Sequence, residues 1–564
     1  MEHPWLKFYD TKVPATIAYP DVPLHRLLED SARLHLRNTA TLFYGARMTY
    51  ARLNGQANRF ASALADLGVR KGDRVAIILP NCPQFVVAYY GILKAGGVVV
   101  PTNPLYKARE LAHQLADAGV QTVVTLNLFV PTLQEIQHEV GLKNIVVTFI
   151  REYLPPVLGM LYPIRERQEN TAVHVAPRPG IHFWRDLIRA PKEALPAVTV
   201  TPDDLALLQY TGGTTGTAKG AMLTHRNLVA NTLQCAHWLW DARMDGSETA
   251  LCVTPFFHVY GMTVGMSLAI YLGATLLLLP RFQTLDVLKA IQKHRPTQFP
   301  GVPTMYIAIN NHPQVQKYNL RSIRACISGA APLPVDVAEK FEALTGGHLV
   351  EGYGLTEAAP VTHCNPLFGR RKVGSIGLPY PDVEARVVDP TTHEPLPVGE
   401  VGELAVRGPQ VMRGYWNRPE ETAQVLADGW LFTGDIARMD EDGYFYIVDR
   451  KKDIIIAGGF NIYPREVEEV LYEHPKVQEA VVVGIPDPYR GETVKAYIVL
   501  KPGTRATAEE IMAFCRVRLA RFKAPHAVEF RDSLPKSLVG KHLRRVLREE
   551  EAARSVQEGA ARSA

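Results

Sequence analysis

The chain has 564 residues, which is too long for a single hydrophobic core and therefore predicts several domains. Its 47% hydrophobic and 21% charged residues are typical of a globular protein, and a formal net charge of +5 over this length does not indicate a nucleic-acid-binding protein. None of the six cysteines lies in a CxxC motif, which argues against a structural zinc site. Because no secretory signal is recognisable, we expect a cytoplasmic protein.

The first 150 residues alternate between apolar runs and helical patterns. The first element is a helix near Leu24 to Leu34. After it we predict three strands, at Val75 to Leu79, Val98 to Val100 and Thr122 to Thr125. They are separated by two predicted helices, at Cys82 to Ala95 and Arg109 to Ala118. Strands that alternate with helices are typical of parallel α/β layers.

Residues 151–168, with the sequence REYLPPVLGMLYPIRERQ, interrupt this alternation. Apolar residues are flanked by Arg151, Arg165 and Arg167, and three prolines argue against a continuous helix. Two interpretations are open. The stretch is either an insertion packed on the protein surface, which is the commoner role of amphipathic segments, or a contact with a membrane surface.

A glycine- and threonine-rich stretch, Thr211 to Gly220, follows an apolar run at Leu205 to Tyr210 that predicts a buried strand. Glycines let the backbone approach a ligand, and exposed N–H groups and hydroxyls can then bind phosphate oxygens, with Lys219 supplying positive charge. The stretch is not a Walker A loop, since Ala218 and Gly220 flank the lysine. A flexible surface loop is the alternative. A helix over Thr224 to Trp240, with Thr224 as its N-cap, is predicted next.

The most apolar window of the chain is Gly261 to Pro280. Gly265 and Gly273 interrupt it, so we predict a buried helix followed by a buried strand at Ala274 to Leu279, and not a membrane span. From Gly374 to Asp449, short alternating runs divided by Gly, Pro and Asp predict a small antiparallel sheet or barrel.

A compact tail follows a run of charged residues, Arg450 to Asp453, which is the candidate hinge. The tail pattern predicts three helices and three strands. In chain order these are helix Pro464 to Glu473, strands Glu479 to Val483 and Val494 to Leu500, helix Ala508 to Leu519, strand Ala527 to Arg531 and basic helix Lys541 to Glu550. This tail is interpreted as a second domain.

Seven segments of the chain, in the same order, resemble the motifs of the AMP-forming adenylating superfamily, which includes acyl-CoA synthetases, luciferases and peptide-synthetase adenylation domains. The segments are Tyr210 to Gly220, Pro255 to His258, Ser328 to Pro332, Tyr353 to Glu357, Trp430 to Asp435, Asp449-Arg450 with Lys452, and Pro535 to Lys541. Because the seven matches span most of the chain in family order, the resemblance is much more specific than any one loop.

The resemblance implies which residues bind the nucleotide. In the family, the first segment holds phosphate, the third packs against adenine, the fourth lies near adenine and the α-phosphate, and the next two bind ribose and its surroundings. The implied nucleotide-binding residues are Thr211, Gly212, Gly213, Thr214, Thr215, Gly216, Lys219, Gly329, Ala330, Ala331, Gly352, Tyr353, Gly354, Thr356, Asp435, Ile447 and Arg450.

The resemblance also implies the catalytic and mechanical residues. Lys541, in the last segment, would be catalytic, Thr356 would reach the α-phosphate and Glu357 would hold Mg²⁺. Lys452 falls on the hinge position of the family. His258 borders the acyl pocket, where a gating role and an ordinary structural role are both open, since histidine roles depend on geometry.

These residue types suit the chemistry of a triphosphate. Its dense negative charge calls for neutralising groups such as Lys219, Arg450, Lys541 and a metal ion. Mg²⁺ prefers few carboxylates together with phosphate oxygens, which fits a single Glu357. An ionised Asp435 can accept two ribose hydroxyls.

Within the superfamily, the chain is most similar to bacterial long-chain fatty acid–CoA ligases. The similarity lies in Tyr210 to Asn227, Gly352 to Glu357, Gly374 to Pro379, Pro409 to Trp416, Asp428 to Ile436 and Ile447 to Asp453. It implies ATP-dependent formation of an acyl-AMP from a fatty acid and transfer of the acyl group to CoA, with ATP, Mg²⁺ and CoA as cofactors. The alternatives are a CoA ligase for medium-chain or aromatic acids, and a non-catalytic acyl- or nucleotide-binding regulator.

The same resemblance implies an α/β multidomain fold. A large N-terminal domain, residues 1–449, would contain two packed α/β sheets and a small β-barrel at about 374–449. A hinge at 450–453 would join it to a mobile, small α+β C-terminal domain at 454–564. Peripheral contact with the inner membrane surface and a homodimer are further possibilities.

Overall fold

The structure is a computed structural model that describes residues 3–169, 171–189, 195–211, 218–239, 244–457, 460–487, 490–537 and 542–563. It has the predicted α/β architecture. Its strands in chain order are β1 (Thr39–Phe43), β2 (Ala46–Thr49), β3 (Arg74–Ile78), β4 (Val98–Pro101), β5 (Thr122–Leu126), β6 (Asn144–Thr148), β7 (Ile181–Phe183), β8 (Leu205–Thr211), β9 (Lys219–Thr224), β10 (Thr249–Cys252), β11 (Thr275–Leu278), β12 (Ala325–Ser328), β13 (His348–Gly354), β14 (Val361–Cys364), β15 (Leu378–Pro379), β16 (Glu384–Val388), β17 (Val401–Arg407), β18 (Leu426–Ala427), β19 (Trp430–Met439), β20 (Phe445–Arg450), β21 (Ile455–Ala457), β22 (Phe460–Ile462), β23 (Val477–Asp487), β24 (Gly491–Leu500) and β25 (Ala527–Phe530).

The helices account for most of the remaining regular structure. In chain order they are α1 (His25–Leu34), α2 (Tyr50–Asp66), α3 (Pro83–Lys94), α4 (Ala108–Ala118), α5 (Val130–Val140), α6 (Pro156–Gln168), α7 (Trp184–Arg189), α8 (His225–Trp238), α9 (Leu268–Tyr271), α10 (Thr284–His294), α11 (Pro303–Asn310), α12 (Val335–Thr345), α13 (Pro419–Val425), α14 (Pro464–Tyr472), α15 (Ala508–Arg518) and α16 (Arg544–Ser563). A π-helix over Gly261–Ser267 leads directly into α9.

Two sheets form the large N-terminal part. Seven described strands make the first sheet, in the order β7-β6-β5-β3-β4-β8-β9, where β8 and β9 are antiparallel. The second contains β10-β11-β1-β2 and β12-β13-β14-β15, which are joined through Gln298 because it bridges to Ala250 and to Ala325. Helices α2, α3 and α8 and the π-helix lie between the two sheets and share one hydrophobic core with them. The predicted pair of packed α/β sheets is therefore present.

The strand and helix around the glycine-rich stretch confirm one prediction and add one element. Thr224 caps α8 as predicted, since its side-chain oxygen accepts a hydrogen bond from the Asn227 N–H. Strand β9 was not predicted. It pairs with β8 in a register that places Thr211 opposite Lys219, so residues near the two ends of this stretch face each other across the ladder.

The apolar window folds as predicted, as a buried helical segment followed by strand β11. Gly261 begins the π-helix where a side chain has no room, because a Cβ there would lie 2.3 Å from the Pro255 carbonyl oxygen. The segment is too short to span a bilayer, and across the described residues no helix combines the length and apolar character that a span requires.

The stretch 151–168 corrects a prediction. We expected its prolines to prevent a continuous helix, but α6 runs unbroken from Pro156 to Gln168. Pro155 and Pro156 stand at the helix start, where the missing N–H costs nothing and the fixed φ suits the first turn. Only Pro163 lies inside the helix, and a single interior proline does not end it here.

The remaining two sheets are smaller. Strands β16 to β20 form an antiparallel sheet that confirms the prediction for residues 374–449. The tail forms a sheet in the order β22-β21-β24-β23, with β25 parallel to β24 and a separate core under α14 and α15. The last helix starts at Arg544 and continues to Ser563, whereas the sequence predicted Lys541 to Glu550.

Candidate active site

A cleft of about 2300 Å³ lies between the N-terminal sheets and the C-terminal tail. Its walls contain each predicted site residue that the structure describes. These are Thr211, Lys219, His258, Gly329, Ala330, Ala331, Gly352, Tyr353, Gly354, Thr356, Glu357, Asp435, Ile447, Arg450 and Lys452. Gly212, Gly213, Thr214, Thr215, Gly216 and Lys541 lie outside the described residues. Of their neighbours in sequence, Thr211 and His542 line the cleft.

Asp435, on β19, contacts an arginine on the neighbouring strand β20 and a tyrosine from β13. The antiparallel register of β19 and β20 sets Asp435 opposite Arg450, and the Arg450 Nε lies 3.2 Å from the Asp435 Oδ1. The Tyr353 hydroxyl donates a hydrogen bond of 2.5 Å to Oδ2. Burial, together with the charge of Asp435, raises the pKa of Tyr353 well above its usual range, so the tyrosine remains a donor. Tyr353 and Arg450 thereby each hold one oxygen of the Asp435 carboxylate in place.

Glu357 belongs to a second group of interacting side chains, together with Tyr415 and Lys219. The sequence analysis predicted Glu357 and Lys219 as site residues but not Tyr415. The Tyr415 hydroxyl donates a hydrogen bond of 2.7 Å to the Glu357 Oε1. The Lys219 Nζ lies 5.2 Å from the centre of the same tyrosine ring, within range of a cation–π contact. Tyr415 therefore connects the lysine of the glycine-rich stretch to the carboxylate predicted to hold a metal ion.

Backbone pairing puts Tyr415 in this position. Residues 413–416 pair along the edge of β9, with the Arg413 N–H donating to the Met222 carbonyl at 2.9 Å and the Trp416 N–H donating to the Gly220 carbonyl at 2.8 Å. Tyr415 lies within Pro409 to Trp416, one of the segments that carry the family resemblance. That segment was the sequence signal for the residue, but it gave no indication of its partner.

The loop that carries His258 is held by a buried asparagine. The Asn81 side-chain nitrogen donates to the carbonyls of Cys252 and Thr254, at 3.1 and 2.9 Å, and its oxygen accepts from the Phe256 N–H at 2.8 Å. The His258 Nδ1 accepts a hydrogen bond of 3.3 Å from the Tyr260 N–H. Asn81 therefore fixes the turn from which His258 reaches the cleft, and it too was missed from the sequence.

The wall around Tyr353 requires glycine at one point. Gly354 ends β13 against the strand that follows, and a Cβ there would lie 2.0 Å from the Pro360 carbonyl oxygen, a distance that no side chain allows. In the motif from Gly352 to Glu357, Gly354 is therefore required by backbone packing within the protein.

Charged groups from the tail surround the candidate hinge. The Arg544 guanidinium contacts three carboxylates, at 2.6 Å from Glu468, 3.3 Å from Asp453 and 3.7 Å from Asp449. The Asp449 Oδ2 also accepts a hydrogen bond of 2.6 Å from the Arg465 N–H. Burial raises the pKa of Asp449 to about 6, against the opposing effect of Arg544. Asp449 precedes the candidate hinge and both arginines follow it, so these contacts connect the two parts in the orientation seen here.

The chain was compared with known proteins. It matches the family described as AMP-binding enzyme over residues 28–416 and the AMP-binding enzyme C-terminal domain over residues 466–541. It is 52% identical over 554 residues to the long-chain-fatty-acid–CoA ligase of Bacillus subtilis strain 168, and 41% identical over 555 residues to that of Escherichia coli O157:H7, with 98% of both chains covered in each case.

A solved structure adds a comparison of folds. The crystal structure of ATP-bound MatB from Rhodopseudomonas palustris is similar with a TM-score of 0.83 at 32% sequence identity, covering 94% of this chain and 99% of that one. The family match alone spans more than half of this sequence, and it includes the glycine-rich stretch, Tyr353, Glu357 and Tyr415. The chain therefore belongs to the AMP-binding enzyme family.

Proposed function

We propose that this protein is an ATP-dependent long-chain fatty acid–CoA ligase. The fatty acid carboxylate would attack the α-phosphorus of ATP, giving acyl-AMP and pyrophosphate, and the CoA thiol would then displace AMP to form the thioester. The observation that carries the proposal is the single cleft in which Lys219, Glu357, Asp435 and Arg450 meet. The names of the two relatives support the acyl substrate and the acceptor.

The residues of the cleft divide the work between them. Asp435 would accept hydrogen bonds from the two ribose hydroxyls, and these would replace the hydrogen bond that it accepts from Tyr353. Lys219 and Arg450 would neutralise phosphate charge. Lys541 would offset the repulsion between two anions as the carboxylate approaches, and follow the charge into the transition state.

Mg²⁺ fits the residues on one wall. Glu357 offers a hard carboxylate oxygen, oriented by Tyr415, and phosphate oxygens of the nucleotide would complete the usual ligand set of this ion. When bound, the ion would neutralise charge on the phosphates. We propose Glu357 as its protein ligand.

ATP–pyrophosphate exchange with palmitate is the test that separates this function from a non-catalytic regulator on the same fold. A ligase exchanges labelled pyrophosphate into ATP only when a fatty acid is present, whereas a regulator binds ligands without exchange. Failure to exchange with any fatty acid, in a folded protein that binds ATP, would remove the ligase proposal.

The substrate preference is expected to be graded across chain length and highest among C12–C18 acids. Apolar residues such as Tyr260, Ile307 and Val335 line part of the cleft, and apolar sites discriminate by only about 1–3 kcal/mol for each methylene. A panel of fatty acids, assayed for AMP release in the presence of CoA, measures the preference. Higher kcat/KM for acetate or coumarate than for these acids would favour a ligase for other carboxylic acids.

Replacing Tyr415 with phenylalanine is expected to raise the Mg²⁺ concentration needed for half-maximal activity about tenfold. The change removes the hydrogen bond that orients Glu357, and bonds to charged groups contribute about 1.5–3 kcal/mol. A Mg²⁺ titration of AMP release at fixed ATP measures the shift, and calorimetry of ATP binding at low and high Mg²⁺ gives an independent readout.

The matched control is Tyr446→Phe. The Tyr446 hydroxyl also donates to a carboxylate, Asp440 at 3.0 Å, but it lies in the small sheet and does not line the cleft. An unchanged Mg²⁺ requirement in folded Tyr415→Phe, or an equal shift in the control, would remove Tyr415 from the proposed site.

We also propose that residues 450–453 act as a hinge between 1–449 and 454–564, and that the protein works in the cytoplasm in peripheral contact with the membrane. The first rests on the family position of Lys452 and on the cleft formed between the two parts. The second rests on the substrate, since long-chain fatty acids partition into bilayers.

A further inference from the structure

Helix α6 presents apolar residues to solvent in a way that no packing role explains. All thirteen of its residues are described, and none is buried. Val157, Met160, Leu161 and Ile164 are between 53% and 75% exposed. At 100° per residue, these four fall on one face of the helix, because they are separated by three or four positions.

The opposite face of α6 rests on the protein. Gly159, Tyr162, Pro163 and Glu166 are the half-buried members of the helix, and they share the face turned inward. Gly159 is tightly placed, since a Cβ there would lie 3.1 Å from the Arg151 carbonyl oxygen. The apolar face is therefore directed outward by the way the helix docks.

The segment before α6 anchors it to the core. Tyr153 is buried, its hydroxyl donates to the Gln56 Oε1 at 2.8 Å, and it accepts from the Trp184 Nε1 at 3.1 Å. Pro155 packs near the turn at Gly45, where a Cβ would lie 4.0 Å from the Pro155 Cγ. These contacts hold the helix start in place, so the outward face is a fixed surface of the folded protein.

Arginines border the apolar face on both sides. Arg165 and Arg167 lie on opposite flanks at this helical spacing, and both are exposed. The acidic residue between them, Glu166, lies on the inward face, where burial raises its pKa. Arg165 shares its charge with Glu169 through an ion pair of 2.9 Å at the helix end. The outward surface is therefore an apolar strip with a positive edge at Arg167 and an ion pair at Arg165.

We propose that α6 lies in the plane of an anionic lipid bilayer, with Val157, Met160, Leu161 and Ile164 inserted at the boundary between head groups and acyl chains. An apolar strip edged by arginines is the pattern of helices that lie in the membrane interface, and the arginines would reach lipid phosphates. The choice of partner rests on the proposed function, because a bilayer is where a long-chain fatty acid is concentrated.

A bilayer suits this surface better than a second copy of the chain does. A twofold interface through α6 would use the same patch on both copies, and would bring two sets of Arg165 and Arg167 to one contact. An anionic surface instead offers a phosphate to each arginine. The dimer is therefore an outcome of the test and not the proposal.

The test compares full-length wild type with the double variant Leu161→Glu/Ile164→Glu in flotation with vesicles of phosphatidylglycerol and phosphatidylcholine. We expect wild type to bind at low salt and the variant to lose at least about tenfold in apparent affinity, because two inserted side chains become charged. A second variant, Arg165→Gln/Arg167→Gln, is expected to lose at least about fivefold on these vesicles, mainly through Arg167 because Arg165 is paired with Glu169, and to be unchanged on pure phosphatidylcholine.

Val398→Glu/Val517→Glu is the matched control. Both valines are exposed, at 49% and 82%, and neither lines the cleft. Its vesicle binding is expected to match wild type. ATP–pyrophosphate exchange, measured without lipid, is expected to be the same in all four proteins, since α6 is outside the cleft.

Two results would overturn the proposal: anionic vesicles that fail to bind wild type at low salt, or a Leu161→Glu/Ile164→Glu variant that binds as well as wild type. Light scattering without lipid tests whether a second copy of the chain binds this face instead. If wild type is a dimer and Leu161→Glu/Ile164→Glu is a monomer, the face is a dimer interface. Exchange that fails while vesicle binding behaves as expected would refute the ligase function and leave the membrane surface standing.

Discussion

Lys541→Ala is expected to slow acyl-AMP formation roughly 10²-fold or more while largely preserving thioester formation from supplied acyl-AMP, a loss typical of removing one charge contact from a transition state. The lysine would stabilise the charge that develops when carboxylate attacks the α-phosphorus. It has no such task when the CoA thiol attacks an existing acyl-AMP. Assaying the two half-reactions separately measures both effects.

Lys536→Ala is the matched control for this change. Lys536 also lines the cleft, but its Nζ lies 2.6 Å from the Glu479 Oε1, so its charge is already paired within the tail. Replacing Lys536 with alanine changes the net charge by the same amount as Lys541→Ala, at a position five residues earlier in the chain. Equal loss of adenylation in both variants would mean that the effect is one of overall charge.

Lys452→Pro is expected to do the opposite. It should spare adenylation and slow the thioester step. The expected loss is roughly 10²-fold, the size associated with a shift of about 1 Å in the position of the reacting groups. Lys452 is the second residue of the 3-10 turn Lys451–Asp453, and the first turn of a helix is where proline is tolerated, so we expect the orientation seen here to be preserved. A fixed φ would then restrict the rotation that we propose about 450–453, which would move Lys541 out of the path of the CoA thiol.

Lys452→Ala separates the backbone effect from loss of the side chain, and it should retain both half-reactions. The Lys452 carbonyl accepts a bond of 3.2 Å from Arg548, which neither substitution removes. If Lys541→Ala and Lys452→Pro each lose both half-reactions equally while remaining folded, two orientations of the tail do not explain this enzyme.

Local sequence patterns predicted most of the elements. Helix α8, its Thr224 cap and the helix-then-strand order of the apolar window all depend on residues close in sequence, where propensity and periodicity operate. The small sheet of residues 374–449 was equally visible, because its short strands are divided by turn residues.

What the sequence hid depends on distant partners. Tyr415 finds Glu357 58 positions away, and Asn81 holds a loop more than 170 positions later. Their residue types alone indicate neither contact. Helix α6 was missed for another reason. The number of prolines argues against a helix, but their positions do not, because two of them start the helix and only Pro163 lies within it.

The ion cluster at Arg544 bears on how freely the tail can turn. A rotation about 450–453 must move Arg544 and Arg465 relative to Asp449, since the hinge separates them. Such contacts look strong, yet charges released to water regain their hydration, and this largely cancels the attraction they lose. The orientation seen here and a proposed second one can therefore lie close in free energy, despite the ion pairs that the rotation would break. For the proposed rotation of the tail, such a small difference in free energy would let the binding of substrates and the release of products shift the balance between the two orientations.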